Sequence, residues 1–349
     1  MHIAIDARMM GAGQTRGIGR YIEQMVEALK AERPDWHITL LQPDVPWYGL
    51  REQLEMPDLI KSVHADHVWF PHWNVPLLYR GDFSVTIHDL LLIHQPQSAK
   101  ASTRHPVIAW LKHCGFKIVL NHALKKSRHI FVPTSAVKKD IVTFYPSVEK
   151  KIIVNGEGLS ELPAPSDVRV SESPFLFYVG SAYPHKRLDL LLEAWKTLSE
   201  NHPQLTLVIG GEQDVFMKRV QAQSEAMGLP RVRFSGHLSD QELADHYAQA
   251  AAFVFPSSFE GFGLPPCEAL SLCTPVICAD IEVLREVLPE QGVFFFKNGS
   301  ADGMIEGIES VLVQGQSART QALLGGEEIR RRHDWMKAAE MLASAVQKS

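Results

Sequence analysis

Cysteine is scarce: the 349 residues hold four, Cys114, Cys267, Cys273 and Cys278, and no two stand in a CxxC spacing. That excludes a zinc-ribbon site and a disulfide framework, and it suits a reducing compartment. Long apolar runs are also lacking. No stretch reaches the roughly 20 residues needed to cross a bilayer, and the start, "MHIAIDARMM", has neither the basic head nor the cleavage site of a signal peptide. The expected place is the cytoplasm, with any membrane met from its inner surface. There is little net charge: 35 Lys and Arg against 40 Asp and Glu leave -5, so nothing draws the whole chain to nucleic acid. An Asp-x-Asp pair, an HExxH helix, a Walker A loop and a GxSxG elbow are all missing. No metal and no cofactor are therefore expected, and any diphosphate would be activated without a metal.

What is present is an alternation. The strand-like runs "HIAIDA", "HITLLQ", "HVWFP" and "FSVTIHDL" are interleaved with helical patterns such as "IGRYIEQMVEALK", as βα units around a parallel sheet require. A Pro- and Ser-rich stretch, "LSELPAPSDVRVSESP", breaks the pattern and reads as an interdomain linker. The alternation then restarts with "FLFYVG", "LTLVIGG", "VRFSG", "AFVFPS" and "PVICA". The chain is long enough for two α/β domains. We expect an N-terminal domain over 1–165, a C-terminal domain over 166–333, and a last helix, 334–349, packed back on the first. Both would be doubly wound, Rossmann-like folds facing each other across a cleft. Ligands in such sheets bind at the carboxyl ends of the strands, which directs attention to the loops there.

The stretch "EGFGLPPCE" follows one such strand. Its glycine-rich turn leads into a helix that Pro265 or Pro266 marks, and a turn of that kind offers backbone N–H groups to an anion. Glu260 and Glu268 suit hydroxyls instead, one on a sugar and one on a ribose. The plainer alternative is a pair of acids that only favour the helix dipole. In "YVGSAYPHKRLD", Gly180 and Ser181 lie close to any ligand and Lys186 can neutralise a diphosphate, unless it is simply a solvated lysine. "GAGQTRGIGRY", with Gly13, Gly17 and Gly19, allows close backbone approach to a ligand or is a crossing with none, and it is a poor dinucleotide fingerprint. His88, at the end of "SVTIHDL", is either structural or in contact with a reacting sugar. From Leu90 to Lys139 there is no acidic residue, and lysines alternate with Trp110, Leu111, Phe116, Val119 and Leu120. Such a segment, about 100–130, suits an anionic membrane better than nucleic acid, and a buried helix with a basic outer face is the other possibility.

In this order "GIGRYIEQMVEAL", "TIHDL", "VPTSAVKKDI", "YVGSAYPHKRLDLLLEAW", "VRFSGHLSDQEL" and "VFPSSFEGFGLPPCEALSLCTPVICADIEVLREV" cover nearly the whole chain. They resemble the GT4 family of retaining glycosyltransferases with the GT-B fold, and the last piece resembles its Glu-x7-Glu signature. The resemblance implies Glu260 beside the donor sugar, the backbone of Gly261, Phe262, Gly263 and Leu264 at the sugar and diphosphate, and Glu268 on the ribose. Lys186 matches the basic residue on the diphosphate. His185 stands where an Arg is frequent and can share the charge if protonated, while Cys273 replaces a common Gly. His237 and Leu238 fall where the base lies, and His88 matches a histidine near the reacting sugar.

The resemblance also implies a front-face substitution at the anomeric carbon. "IHDL" and "PHK" look most like bacterial mannosyltransferases of surface polysaccharide assembly, with GDP-mannose as donor and a lipid-linked or oligosaccharide acceptor. UDP- or dTDP-sugar transfer, a sugar-nucleotide 2-epimerase and a non-catalytic nucleotide-sugar-binding subunit are the alternatives.

Overall fold

A computed structural model describes residues 1–11, 16–95, 106–159 and 161–347. The chain divides into two units, Met1–Gly158 with Asp334–Ser349, and Leu159–His333. The first unit has six parallel strands, β1 (His2–Asp6), β2 (His37–Leu41), β3 (His67–Phe70), β4 (Phe83–Thr86), β5 (Ile130–Val132) and β6 (Ile152–Val154), in the order β2-β1-β3-β4-β5-β6. The helices between them are α1 (Arg16–Glu32), α2 (Leu50–Ser62), α3 (Leu91–His94), α4 (Pro106–Lys126) and α5 (Ser135–Phe144).

Alternate residues along each strand enter opposite faces of the sheet. Ala4, Val68, Phe70, Val85 and Ile130 meet α2 and α4 on one face. Ile3, Ile5, Trp69 and Phe131 meet α1 on the other. That second face is completed by the last helix of the chain, Trp335–Gln347, whose Trp335, Ala338, Ala339, Leu342 and Val346 join the same core. Gly158 is where the first unit gives out. A Cβ there would lie 2.2 Å from the Trp335 ring, so only glycine lets the indole close over it.

The second unit repeats the architecture. Its strands β7 (Phe175–Val179), β8 (Thr206–Gly210), β9 (Val232–Gly236), β10 (Ala252–Phe255), β11 (Val276–Asp280) and β12 (Val293–Lys297) form a parallel sheet in the order β12-β11-β10-β7-β8-β9. Helices α6 (Leu188–Asn201), α7 (Val215–Ala226), α8 (Asp240–Gln249), α9 (Leu264–Ser271), α10 (Glu282–Val287), α11 (Ala301–Gln314) and α12 (Gln316–Arg332) surround it, and Trp335–Gln347 is α13. Leu176, Phe177, Val208, Phe253, Val254 and Ile277 are fully buried, the continuous apolar runs of a sheet covered on both faces. Among the described residues no helix is long and apolar enough to cross a membrane.

The Pro- and Ser-rich stretch is not a free linker. It belongs to the second unit, so the boundary falls at Gly158 and not at residue 165. Composition suggests a spacer, but its hydrogen bonds are made with α8. The Ser166 N–H and hydroxyl donate to the Asp245 carboxylate at 2.6 and 2.8 Å, and the Val170 N–H donates to Gln249 at 2.9 Å. Burial alone would raise the Asp245 pKa, yet the bonds from Ser166 and Gln241 hold it below the ordinary 3.8. A depressed carboxylate contributes stability above its unfolded pKa and loses it as the pH falls through the folded one. We predict that Asp245→Ala lowers the unfolding free energy by roughly 1.5–3 kcal/mol at neutral pH and opens residues 161–173 to protease. The deficit, read by urea unfolding, should shrink as the pH falls below 3.8.

Candidate active site

The carboxyl ends of the second sheet bring four loops together. β7 runs out at Gly180, whose N–H donates to the Gly210 carbonyl at 3.1 Å, while the Gly211 N–H donates to Gly236 at 2.8 Å. The turns after β7, β8 and β9 are thus tied side by side. They are very close: a Cβ on Gly211, at φ 147°, would sit 2.2 Å from the Gly180 carbonyl oxygen. Leu238 lies against this cluster, its Cδ1 being 3.2 Å from where a Cβ on Gly210 would be. His237 beside it is exposed. The Tyr178 hydroxyl donates to the Ser181 carbonyl at 2.7 Å, fixing the turn from within.

Past Ser181 the chain makes a 3-10 turn, Pro184–Lys186, and Arg187 takes a left-handed conformation to open α6. That turn aims Lys186 at the loop after β10. Its Nζ lies 2.6 Å from Glu260 Oε1, with both side chains mostly buried, and 5.2 Å from the Phe255 ring centre. The two loops are also joined by backbone, for the His185 carbonyl accepts from the Ser258 N–H at 2.8 Å and the Ser258 hydroxyl at 3.1 Å. Ammonium and carboxylate are therefore placed by the main chain, not only by attraction to each other.

The loop continues through Gly261 to Gly263, the latter at φ 100° as the residue before α9. Leu264, Pro265 and Pro266 form the first helical turn. Since the two prolines carry no N–H, the amides of this turn are those of Gly261, Phe262, Gly263 and Leu264. Phe262 contributes only backbone here, because its ring is buried edge-on against His333, with centres 5.0 Å apart. Glu268, one turn further on, is buried and accepts from the Tyr247 hydroxyl at 3.1 Å. Tyr247 and Tyr178 were not singled out in the sequence, and only burial at strand ends and on α8 distinguishes them.

His185 corrects one expectation. It is buried, and burial together with the Lys186 ammonium pushes its pKa down to about 4, so it is neutral at pH 7 and shares no positive charge with Lys186. Arg187 pairs with Asp189 at 3.3 Å. Among the described residues no group of three His, Cys, Asp or Glu side chains is arranged to hold a metal ion.

In the first unit, Gly13 lies outside the described residues. Gly17 and Gly19 are in the first turn of α1, not in a loop. His88 sits just past β4 with both ring nitrogens engaged, Nδ1 3.2 Å from Glu157 Oε1 and Nε2 2.9 Å from the Pro71 carbonyl oxygen. Its ring meets Tyr21 edge-on at 4.7 Å. Two acceptors are best met by an imidazolium, which donates from both nitrogens.

Residues 165–322, within the second unit, match the family Glycosyl transferases group 1. The chain is 29% identical over 250 residues to the O-antigen chain mannosyltransferase RfbU of Salmonella typhimurium, across 71% of this chain and 65% of that one. It is 32% identical over 137 residues to O-antigen chain mannosyltransferase B of Escherichia coli, across 38% and 35%. These matches span less than two thirds of either relative. Sucrose-phosphate synthase from Thermosynechococcus elongatus aligns at a TM-score of 0.77 over 99% of this chain and 98% of its own, with 20% identity, which shows the fold alone. Two parallel six-stranded sheets with flanking helices are the GT-B fold.

The His88 geometry gives a pH dependence. Burial alone would lower its pKa, but Glu157 and Pro71 outweigh it and hold it above the ordinary 6.5. A raised histidine contributes stability that is full below its unfolded pKa and is lost as the pH rises through the folded one. We expect the difference in urea unfolding free energy between the native chain and His88→Gln to be largest below 6.5 and to fall as the pH rises above it. A difference independent of pH would mean that the ring is not ionised.

Proposed function

We propose that this chain is a retaining hexosyltransferase that moves mannose from GDP-mannose to a lipid-linked or oligosaccharide acceptor in bacterial surface polysaccharide assembly. The Lys186–Glu260 pair at 2.6 Å carries the reading, and the likeness to O-antigen mannosyltransferases supports the choice of sugar. Glu260, bonded to the Lys186 ammonium, is an acceptor for hydroxyls of the donor sugar. Lys186 sits where it can pass from the carboxylate to a diphosphate oxygen, and the N–H groups of Gly261 to Leu264 add donors for the same charge. Glu268, steadied by Tyr247, takes the ribose hydroxyls. Gly180 and Ser181 allow close approach, and His237 and Leu238 lie along the base.

In the step itself, an acceptor hydroxyl oxygen bonds to the anomeric carbon on the face that the diphosphate leaves. The bond from that carbon to the phosphate oxygen breaks, and the acceptor proton passes to a departing phosphate oxygen. Configuration is retained, and neither glutamate has to protonate a glycosidic oxygen, unlike the paired acids of a hydrolase. Lys186 and the turn's amides take the leaving group's charge, which makes a metal unnecessary. The first unit receives the acceptor, with His88, held between Glu157 and the Pro71 carbonyl, near the reacting sugar.

Helix α4 gives the membrane reading its form. Phe116, Leu120, Ala123 and Leu124 face the core, while Trp110, Leu111 and Ile118 are more than half exposed among Lys112, Lys117, Lys125 and Lys126. Apolar side chains set among lysines suit the inner face of an anionic membrane, where a lipid-linked acceptor would be found.

Calorimetry with a panel of sugar nucleotides in EDTA tests the donor. GDP-mannose is expected to bind without metal, and failure of every sugar nucleotide overturns the assignment. Glu260→Ala should cost roughly a hundredfold in turnover with the fold intact, since a misplaced sugar loses alignment with its acceptor. For the membrane, the native chain should float with vesicles containing phosphatidylglycerol at low salt, and Trp110→Asp with Ile118→Asp should leave it in the soluble fraction.

A further inference from the structure

The amino end of the first sheet, away from the loops described above, holds a pair of histidines that the transfer reaction does not use. β2 is an edge strand, and it runs parallel to β1 with His37 directly beside His2. Main-chain bonds fix both positions: the His37 N–H donates to the Met1 carbonyl at 2.9 Å, and the Asp66 N–H donates to the His2 carbonyl at 2.8 Å. The His2 N–H in turn donates to Asp66 Oδ2 at 2.7 Å. Residues side by side in a sheet share a face, and so does the residue two further along a strand, which brings Thr39 into line with the two rings.

The two imidazoles converge. Their ring centres are 4.3 Å apart, with planes 73° from parallel. Nε2 of His2 lies 2.8 Å from Thr39 Oγ1, and Nε2 of His37 lies 3.3 Å from the same oxygen. One hydroxyl has one hydrogen, so it can donate to only one of these nitrogens, and the other ring has to bring its own proton to the contact. Two nitrogens aimed at one point also make a chelate, since an ion bound at about 2.0–2.1 Å by each imidazole sits between them. The corner is open enough for the rest of a coordination shell: His37 is exposed and His2 and Thr39 are half-buried, so water can fill what two side chains leave. Imidazole also selects among ions. It suits zinc, nickel and copper, whereas magnesium and calcium take oxygen ligands.

We infer that His2 and His37 form a two-histidine site for a divalent ion of the zinc, nickel and copper class, which pins the edge strand β2 to β1. Binding needs both Nε2 lone pairs, so the ring that carries its proton on Nε2 moves it to Nδ1, and the Thr39 hydroxyl gives up its place between them. An ion that binds the folded pair and not the unfolded chain stabilises the first unit. The site takes no part in the transfer reaction proposed above and does not rest on it. No spacing in the sequence announces it, because its two ligands come from different strands.

Titration of the untagged, metal-free full chain with Ni2+ by calorimetry tests it, with histidine side-chain NMR locating the ion through its paramagnetic broadening. The native chain should bind Ni2+, lose the imidazole signals of His2 and His37 before those of other histidines, and melt at a higher temperature with Ni2+ or Zn2+ than in EDTA. His37→Gln should bind at least about tenfold more weakly, keep its His2 signal at the same Ni2+ concentration, and lose the rise in melting temperature. His2→Gln should do the same from the neighbouring strand, and excess Mg2+ should not compete. Absence of binding to the native chain at millimolar Ni2+ overturns the site. So does equal binding by both variants, or broadening confined to other histidines, either of which leaves His2 and His37 as a polar pair around Thr39. Sugar-nucleotide binding in EDTA should be the same in all three chains, and its failure would count against the transfer reaction alone.

Discussion

Parallel strands impose the constraint on which each unit depends. Six strands running one way put all their carboxyl ends on one edge, so residues far apart in sequence are delivered to neighbouring loops. The second unit uses this closely: the turns after β7, β8 and β9 hydrogen-bond to one another, and the turn after β7 is joined through the His185 carbonyl to the loop after β10. Glycine at positions 180, 210 and 211 is the condition for that proximity, since a side chain at Gly211 would collide with its neighbour's backbone. With the loops fixed by main-chain bonds, Lys186 and Glu260 need no search to meet.

Each unit then sets an ion pair at this edge, and the two differ in kind. Lys186 and Glu260 keep some exposure, at 15% and 12% of their side chains, so either can exchange its partner for a ligand at modest desolvation cost. Glu52 has none, and it is held by Arg8, Asn74 and the Tyr48 N–H together. Removing one member of such a buried set leaves an uncompensated charge, a loss of about 3–5 kcal/mol. The first pair is suited to changing its contacts during a reaction, the second to keeping loops still.

Much of the fold was legible because it rests on periodicity. Alternating apolar runs and helical patterns are short-range signals, and both sheets follow from them. The loop from Glu260 to Glu268 was equally readable, since the two acids, the glycines and the prolines that start α9 all fall within one short stretch. The Arg8–Glu52–Asn74 set was not. Its members come from two loops and the first turn of α2, and Pro57 within α2 masks the helix that carries Glu52. The stretch before β7 was misread for a related reason: proline and serine describe a spacer, whereas its attachment to Asp245 and Gln249 runs largely through backbone groups that composition does not reveal. His185 shows the same limit, for adjacency to Lys186 was visible and its burial was not.

The neutrality of His185 bears on how the second unit would manage charge. A second cation beside Lys186 would repel the ammonium and would compete for the same carboxylate. A buried, uncharged imidazole does neither. Its carbonyl braces the loop after β10 while its ring stacks near Tyr183, at 6.1 Å and 13°. One cation set against one carboxylate and a turn of amides is then a balanced arrangement for the proposed reaction: a diphosphate entering that turn would bring the negative charge that draws Lys186 across, and Glu260 would be released to accept from hydroxyls. On that reading the positive charge would be needed only with the ligand, and without it the carboxylate holds the ammonium in place.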